Sequence, residues 1–186
     1  MPPPLASLLC TLFIIWLLGR DIKRHREVSH ALWVPLCWML IIGSRLPSEW
    51  LGGGAIVLST PTAYQEGSPL DRNVFLILIL IGTAILLRRS VAWRPLLTNN
   101  LAIVLFFAYT LVSIGWSDFP MTAFKRWHKV LGHVIMALVV FTDRHPERAF
   151  RSLFRRCGYV LLPLSVLFIK YYPDLGRGFE IGRAHV

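Results

Sequence analysis

The chain has 186 residues, of which 55% are hydrophobic and 16% charged, at a mean hydropathy of +0.56. Soluble domains carry about a quarter charged residues, so the deficit reflects long uncharged stretches and excludes a disordered tail or a soluble nucleic-acid binder. The net charge of +10 would suggest a polyanion partner in a soluble chain, whereas in a membrane protein it reports cytoplasmic loops.

A helix that crosses a bilayer needs about 20 mostly apolar residues, within a range of roughly 17 to 25. Six segments approach that length: residues 4–19, 31–43, 73–87, 96–114, 130–142 and 157–169. The fourth is the clearest, with 19 uncharged residues, and the shorter ones reach adequate length once interfacial residues are counted, with tilt or extension at their ends. The expected fold is therefore all-α, a polytopic transmembrane bundle of about six spans. The first segment is read as a retained span, because no positive residue precedes it and it ends in Gly19, Arg20 and Asp21 with no cleavage site. Pro35 and Pro163 fall inside spans, where neighbouring helices can satisfy the carbonyls that proline frees. Cys10, Cys37 and Cys157 sit far apart in apolar segments and read as small buried hydrophobes.

Orientation follows from the cytoplasmic excess of Lys and Arg. Twelve positive residues fall in the first, third and fifth loops: Arg20, Lys23, Arg24, Arg26, Arg88, Arg89, Arg94, Arg144, Arg148, Arg151, Arg155 and Arg156. Seven fall on the other side, namely Arg45, Arg72, Lys125, Arg126, Lys129, Lys170 and Arg177. The first set is expected in the cytoplasm, with the N-terminus outside. Trp50, Trp93, Trp116 and Trp127 lie in or beside these loops, where indole rings favour the headgroup region.

Four loop segments hold the polar chemistry. The long second loop carries Gly52, Gly53 and Gly54 and ends in EGSPLDR, Glu66 to Arg72. There Ser68 is placed to cap a helix that begins at Pro69, with Asp71 in its first turn and Arg72 within reach of either acid. The fourth loop, SIGWSDFPMTAFKRWHK at 113–129, offers Ser117 or Asp118 as the cap of an interfacial helix starting near Pro120. On that helix Lys125 and Lys129 share a face at i and i+4 with Arg126 beside them. This pattern fits both snorkelling anchors and a diphosphate site, since Lys and Arg donors neutralise phosphate oxygens. His133 lies one turn into the fifth span, where a neutral imidazole bonded within the bundle competes with a functional role. The fifth loop has Phe150 and Phe154 at i and i+4 among arginines and reads as a basic amphipathic helix touching anionic lipid. After the sixth span, Arg177 stands between Gly176 and Gly178, a permissive turn suited to an anion. No P-loop, GxSxG, HExxH or DxD-like pair is present, so the sequence gives no support to an ATPase, a serine hydrolase or a zinc protease.

Taken together, EGSPLDR, SIGWSDFPMTAFKRW, KYYPDLGRGF and the opening LGRDIKRHREVSHALWVPLCWMLIIGSR resemble the N-terminal half of bacterial O-antigen ligase and O-antigen polymerase-like membrane proteins. The resemblance implies a multi-pass protein of the cell inner membrane with a membrane-embedded glycosyltransferase fold. It implies a ligase or polymerase of O-antigen or exopolysaccharide biosynthesis, acting on undecaprenyl-diphosphate-linked glycan at the periplasmic face without metal or cofactor. It also implies outer-face arginines that hold the diphosphate and a histidine base on a large periplasmic loop. Residue by residue little transfers: Arg126 and Arg177 occupy outer-face positions compatible with a diphosphate contact, whereas His128 and His133 precede the loop that would hold the base, so no catalytic residue is assigned. Residues 180–186, EIGRAHV, resemble a translated sequencing adapter. On that basis residues 1–179 are expected to be the N-terminal transmembrane portion of a longer protein. A lipid-linked or anionic-solute transporter is the competing class, followed by a non-enzymatic scaffolding subunit.

Overall fold

A computed structural model of the chain describes residues 2–24, 28–44, 46–51 and 68–172. Among these residues the structure is helical with no strand. Arg26, Arg45, Glu66, the triple glycine, Arg177 and the tail at 180–186 lie outside the described residues.

The helices follow from long apolar runs bounded by proline and polar residues. Helix α1, Pro3–Arg24, begins in a proline run, which suits a first turn whose N–H groups have no helical partner, and ends in Lys23 and Arg24, which complement its C-terminal dipole. A short 3-10 turn, His30–Leu32, capped by the Ser29 hydroxyl, leads into α2, Trp33–Gly43. The single turn α3, Pro47–Trp50, precedes α4, Pro69–Arg88, which starts where Ser68 and Pro69 predict. Ser68 occupies the N-cap position, but its side chain makes no capping bond. Two helices, α5, Trp93–Asn99, and α6, Leu101–Val112, follow, and α6 runs into a 3-10 turn, Ser113–Trp116. The last two are α7, Pro120–Phe141, and α8, Pro146–Tyr171.

Three of these helices, α1, α4 and α8, are long and apolar enough to cross a membrane. The number rises to four if α5 and the α6 segment are counted as one broken span. The structure thus gives three or four such helices where the sequence predicts about six spans. The clearest predicted span, residues 96–114, is broken at Asn100, and its two parts meet at 84°. The cause is a polar triplet, Thr98-Asn99-Asn100. Thr98 Oγ1 donates to the Arg94 carbonyl (3.0 Å) and Asn100 Nδ2 to the Leu96 carbonyl (2.8 Å), so side-chain donors compete for carbonyls at the end of α5. The predicted second span stops at 11 α-helical residues in α2. The fifth is continuous with its cationic approach helix, so α7 carries Lys125, Arg126 and Lys129 within one 22-residue element. Likewise the amphipathic fifth loop and the sixth span form one helix, with Pro163 inside it. Cys157 is buried as expected, but Cys10 is partly exposed and Cys37 is exposed on the surface of α2.

Contacts divide the chain into two units, one made of α1 with α8 from residue 151 onward and the other of the described residues in 28–150. In the larger unit α4 packs along α7, and both pack on α2. Trp38, Phe75, Ile79 and Met136 form its core, with the Trp38 and Phe75 rings edge to face at 4.9 Å. Gly132 permits this approach: a Cβ there would overlap the Trp38 ring and meet Ile79 Cδ1 at 2.9 Å. Such close backbone approach increases the van der Waals contact between the helices.

One end of the larger unit is fastened by charge. Arg89, just past α4, donates to the Val139 carbonyl (2.7 Å) and Thr142 Oγ1 (3.0 Å) and pairs with Asp143 at 3.1 Å. It therefore satisfies carbonyl and carboxylate acceptors at the C-terminal end of α7. The starts of the third and fifth loops consequently lie at the same end of this unit.

In the smaller unit Asp21 of α1 is buried and takes two guanidinium partners from α8, Arg155 Nε and Arg156 Nε, each at 2.7 Å. Outward from this cluster α1 exposes Leu8, Leu12, Ile15 and Trp16. Exposed apolar surface of that extent suits contact with lipid or with another apolar surface.

Candidate anion-binding site

The opposite end of α7 holds the predicted cations. Its approach is built from the Ser113–Trp116 turn and the residues up to Pro120, which begins the helix. The N-cap position falls to Phe119, not to Ser117 or Asp118 as the sequence predicts. Ser117 still contributes, since its Oγ accepts from the Phe119 N–H at 3.3 Å and so shapes the turn as an ST motif. The start of α7 is tied to α6 by Trp127, whose indole N–H donates to the Phe107 carbonyl at 3.2 Å. Phe124 lies nearly parallel to Trp127 at 6.2 Å, completing an aromatic row along the first half of the helix.

Helical spacing groups Lys125, Arg126 and Lys129, but the structure gives each a different setting. Arg126 is exposed and lines an open concavity of about 280 Å³ with Ser117, Phe119, Thr122 and Ala123. The concavity therefore presents one guanidinium and two hydroxyls to whatever enters it. Lys129 instead reaches across to α4, with Nζ 4.9 Å from the centre of the Phe75 ring in a cation–π contact. Lys125 is half-buried and lines neither surface. Among the described residues none of the three has an acidic partner. Arg177, the fourth predicted anion ligand, lies outside the described residues.

The other predicted polar residues have structural partners. His133 Nδ1 lies 2.9 Å from the Lys129 carbonyl, so that nitrogen carries the proton, and the ring meets Trp38 edge to face at 5.4 Å. Asp71 does not pair with Arg72 as the sequence suggests. It turns into the larger unit and accepts from the Ser48 N–H (2.9 Å) and Ser48 Oγ (2.5 Å), joining α3 to the start of α4. A buried carboxylate is stabilised by such donors, whereas Arg72 is exposed. Ser48 carries no motif that would have marked it, because its partner lies 23 residues away. Thr122 is equally unmarked in the sequence, and Ser117 is marked there only as a cap; the turn before Pro120 is what brings both beside Arg126. Among the described residues no group of three His, Cys, Asp or Glu side chains is placed to hold a metal ion.

Compared with models of known protein families, with curated proteins and with solved structures, the chain matches none.

Proposed function

We propose that this chain is the N-terminal transmembrane portion of an inner-membrane glycan ligase or polymerase that acts on undecaprenyl-diphosphate-linked saccharide at the periplasmic face. The observation that carries the proposal is Arg126, an exposed guanidinium without an acidic partner among the described residues, beside Ser117 and Thr122 in an open concavity. In that setting Arg126 would donate to diphosphate oxygens and stabilise charge on the leaving group, as preorganised donors do in phosphate chemistry. Lys125 and Lys129 flank it at one and three residues' distance and add to the local positive potential. The four segments that resemble the O-antigen ligase and polymerase-like family support the same assignment. In this scheme α2 and α7 are the two further spans of a six-span arrangement, with α7 extending its cationic first half beyond the hydrocarbon layer.

The test is glycan transfer by the complete gene product in a strain lacking its own copy. Arg126→Ala should abolish transfer at normal protein levels. Unimpaired transfer by Arg126→Ala together with Lys125→Ala would sink the diphosphate role and return these residues to interfacial anchors.

A second reading, a transporter of a lipid-linked or anionic solute, is favoured by the 84° break at Asn100. Discontinuous helices near mid-membrane often form transporter binding sites. Accumulation of a labelled lipid-linked substrate across sealed vesicles, with no transfer to an acceptor, would select this reading over the enzyme.

A further inference from the structure

The smaller unit contains a second cationic cavity, at the C-terminal end of α1. Its volume is about 230 Å³, and its described lining is Leu17, Arg20, Asp21 and Arg24 of α1 with Arg155 and Tyr159 of α8. The positions have a simple helical origin: Leu17, Arg20, Asp21 and Arg24 recur at three and four residues on one face, as do Arg155 and Tyr159.

The charge in this cavity is not balanced by its own carboxylate. Asp21 is shared between Arg155 and Arg156, each at 2.7 Å. Arg155 Nε, although close, is not aligned to hydrogen-bond Asp21, and it is buried without another acceptor. Arg20 has an aromatic neighbour, its guanidinium carbon 5.5 Å from the Trp16 ring, but no carboxylate among the described residues. The C-terminal dipole of α1 accounts for Arg24 and Lys23 by itself. It does not account for Arg155 and Tyr159, which come from another helix to close the same cavity.

The apolar surroundings identify the ligand. Leu17 forms part of the wall, and helical spacing continues its face to exposed Phe13 on α1 and that of Arg155 and Tyr159 to exposed Leu162 and Val166 on α8. A cationic pocket at the end of apolar helices suits an amphiphile whose anionic group sits among arginines and whose chains lie along the helices. A volume of about 230 Å³ is enough to seat a phosphate headgroup.

We infer that this cavity binds the phosphate headgroup of an anionic phospholipid, in the leaflet at the C-terminal end of α1. The site is separate from the Arg126 concavity and does not depend on the proposed glycan chemistry.

The test uses the full chain in phosphatidylcholine nanodiscs containing phosphatidylglycerol, with lipid retention read by native mass spectrometry after release. Wild type should retain phosphatidylglycerol over phosphatidylcholine. Arg24→Gln should lower that preference about fivefold, the factor for one lost cation at an anionic surface, and Arg20→Gln with Arg24→Gln should lower it further. Arg94→Gln, on the exposed surface of α5 outside this cavity, should change it little. Circular dichroism of each variant separates lost binding from lost fold, and Arg24→Gln leaves the Asp21 pairs intact. Equal loss in Arg94→Gln, or none in the double variant, would overturn the proposal. Added inorganic phosphate should not displace the lipid; displacement at millimolar phosphate would show that the free ion is the ligand and overturn the lipid assignment.

Discussion

Helix α7 meets cations at both ends of its packing surface, Arg89 from the end of α4 at one and its own Lys125, Arg126 and Lys129 at the other, and the two ends differ in how those cations are partnered. At its C-terminal end Arg89 is bound by three acceptors, including an Asp143 side chain that is only 1% exposed. At its N-terminal end Lys125, Arg126 and Lys129 have no carboxylate among the described residues, and Arg126 faces an open concavity. A cation whose acceptors are built into the fold contributes to stability and is closed to ligands. One that lacks them contributes little to folding and stays available. The contrast separates a fastened cation from unpaired ones around a single helix, and it is testable because the two kinds of cation should respond differently to removal.

The largest effect is expected at the fastened end. Arg89→Ala would strand the buried Asp143 carboxylate and leave the Val139 carbonyl without its donor. Removing one partner of a buried pair costs about 3 kcal/mol at the lower end of the usual range, which applies because Arg89 itself is partly exposed. Thermal unfolding in neutral detergent should show a clear fall in Tm, and adding Asp143→Asn should recover part of it, a coupling that a double-mutant cycle measures. If Arg89→Ala unfolds like wild type, the two ends are alike and the contrast fails.

A smaller effect is expected between the ends, at Gly132. Alanine there gains roughly 1 kcal/mol as a better helix former. Against this, its Cβ would overlap Trp38 and crowd Ile79, and overpacking of a filled core costs about 1–3 kcal/mol. The expected net loss is about 1 kcal/mol, with Gly132→Leu worse. Tolerance of leucine would mean that α7 is not seated against Trp38, and the different surroundings of its two ends would lose their common frame.

Much of this architecture was legible in the residues. Apolar runs located every helix that the structure describes as long enough to span, and Ser68 with Pro69 marked the start of α4. The alternation of predicted spans puts the third and fifth loops on one side, and Arg89 and Asp143 at their starts do meet at one end of the larger unit. The break at Asn100 was not read, because hydropathy averages over Thr98, Asn99 and Asn100 and takes no account of side chains that compete for backbone carbonyls. The same limit hid the fusion of the cationic approach with the fifth predicted span, since a helix continues through a change of polarity when no breaker interrupts it. For the candidate site, spacing gathered Lys125, Arg126 and Lys129 correctly onto one helix. It could not tell that Lys129 would turn to the Phe75 ring while Arg126 would face Ser117 and Thr122. Those assignments depend on neighbours from α4 and from the turn before Pro120, which periodicity along one helix does not contain.

The smallest expected stability effect is the one that sharpens the contrast most. Arg126→Ala removes an exposed guanidinium with no acidic partner among the described residues, and surface substitutions of this kind usually shift stability by no more than about 0.5 kcal/mol. Its Tm in detergent should therefore match wild type within error, while Arg89→Ala measured beside it falls. Lys129→Ala should lie between them, because it loses the cation–π contact with Phe75, worth about 0.5–1 kcal/mol at an exposed site. The order Arg89, Lys129, Arg126 thus follows the acceptors each cation holds in the folded chain. A large destabilisation by Arg126→Ala would mean that Arg126 also fastens the fold, and loss of function in that variant would then no longer report on a ligand.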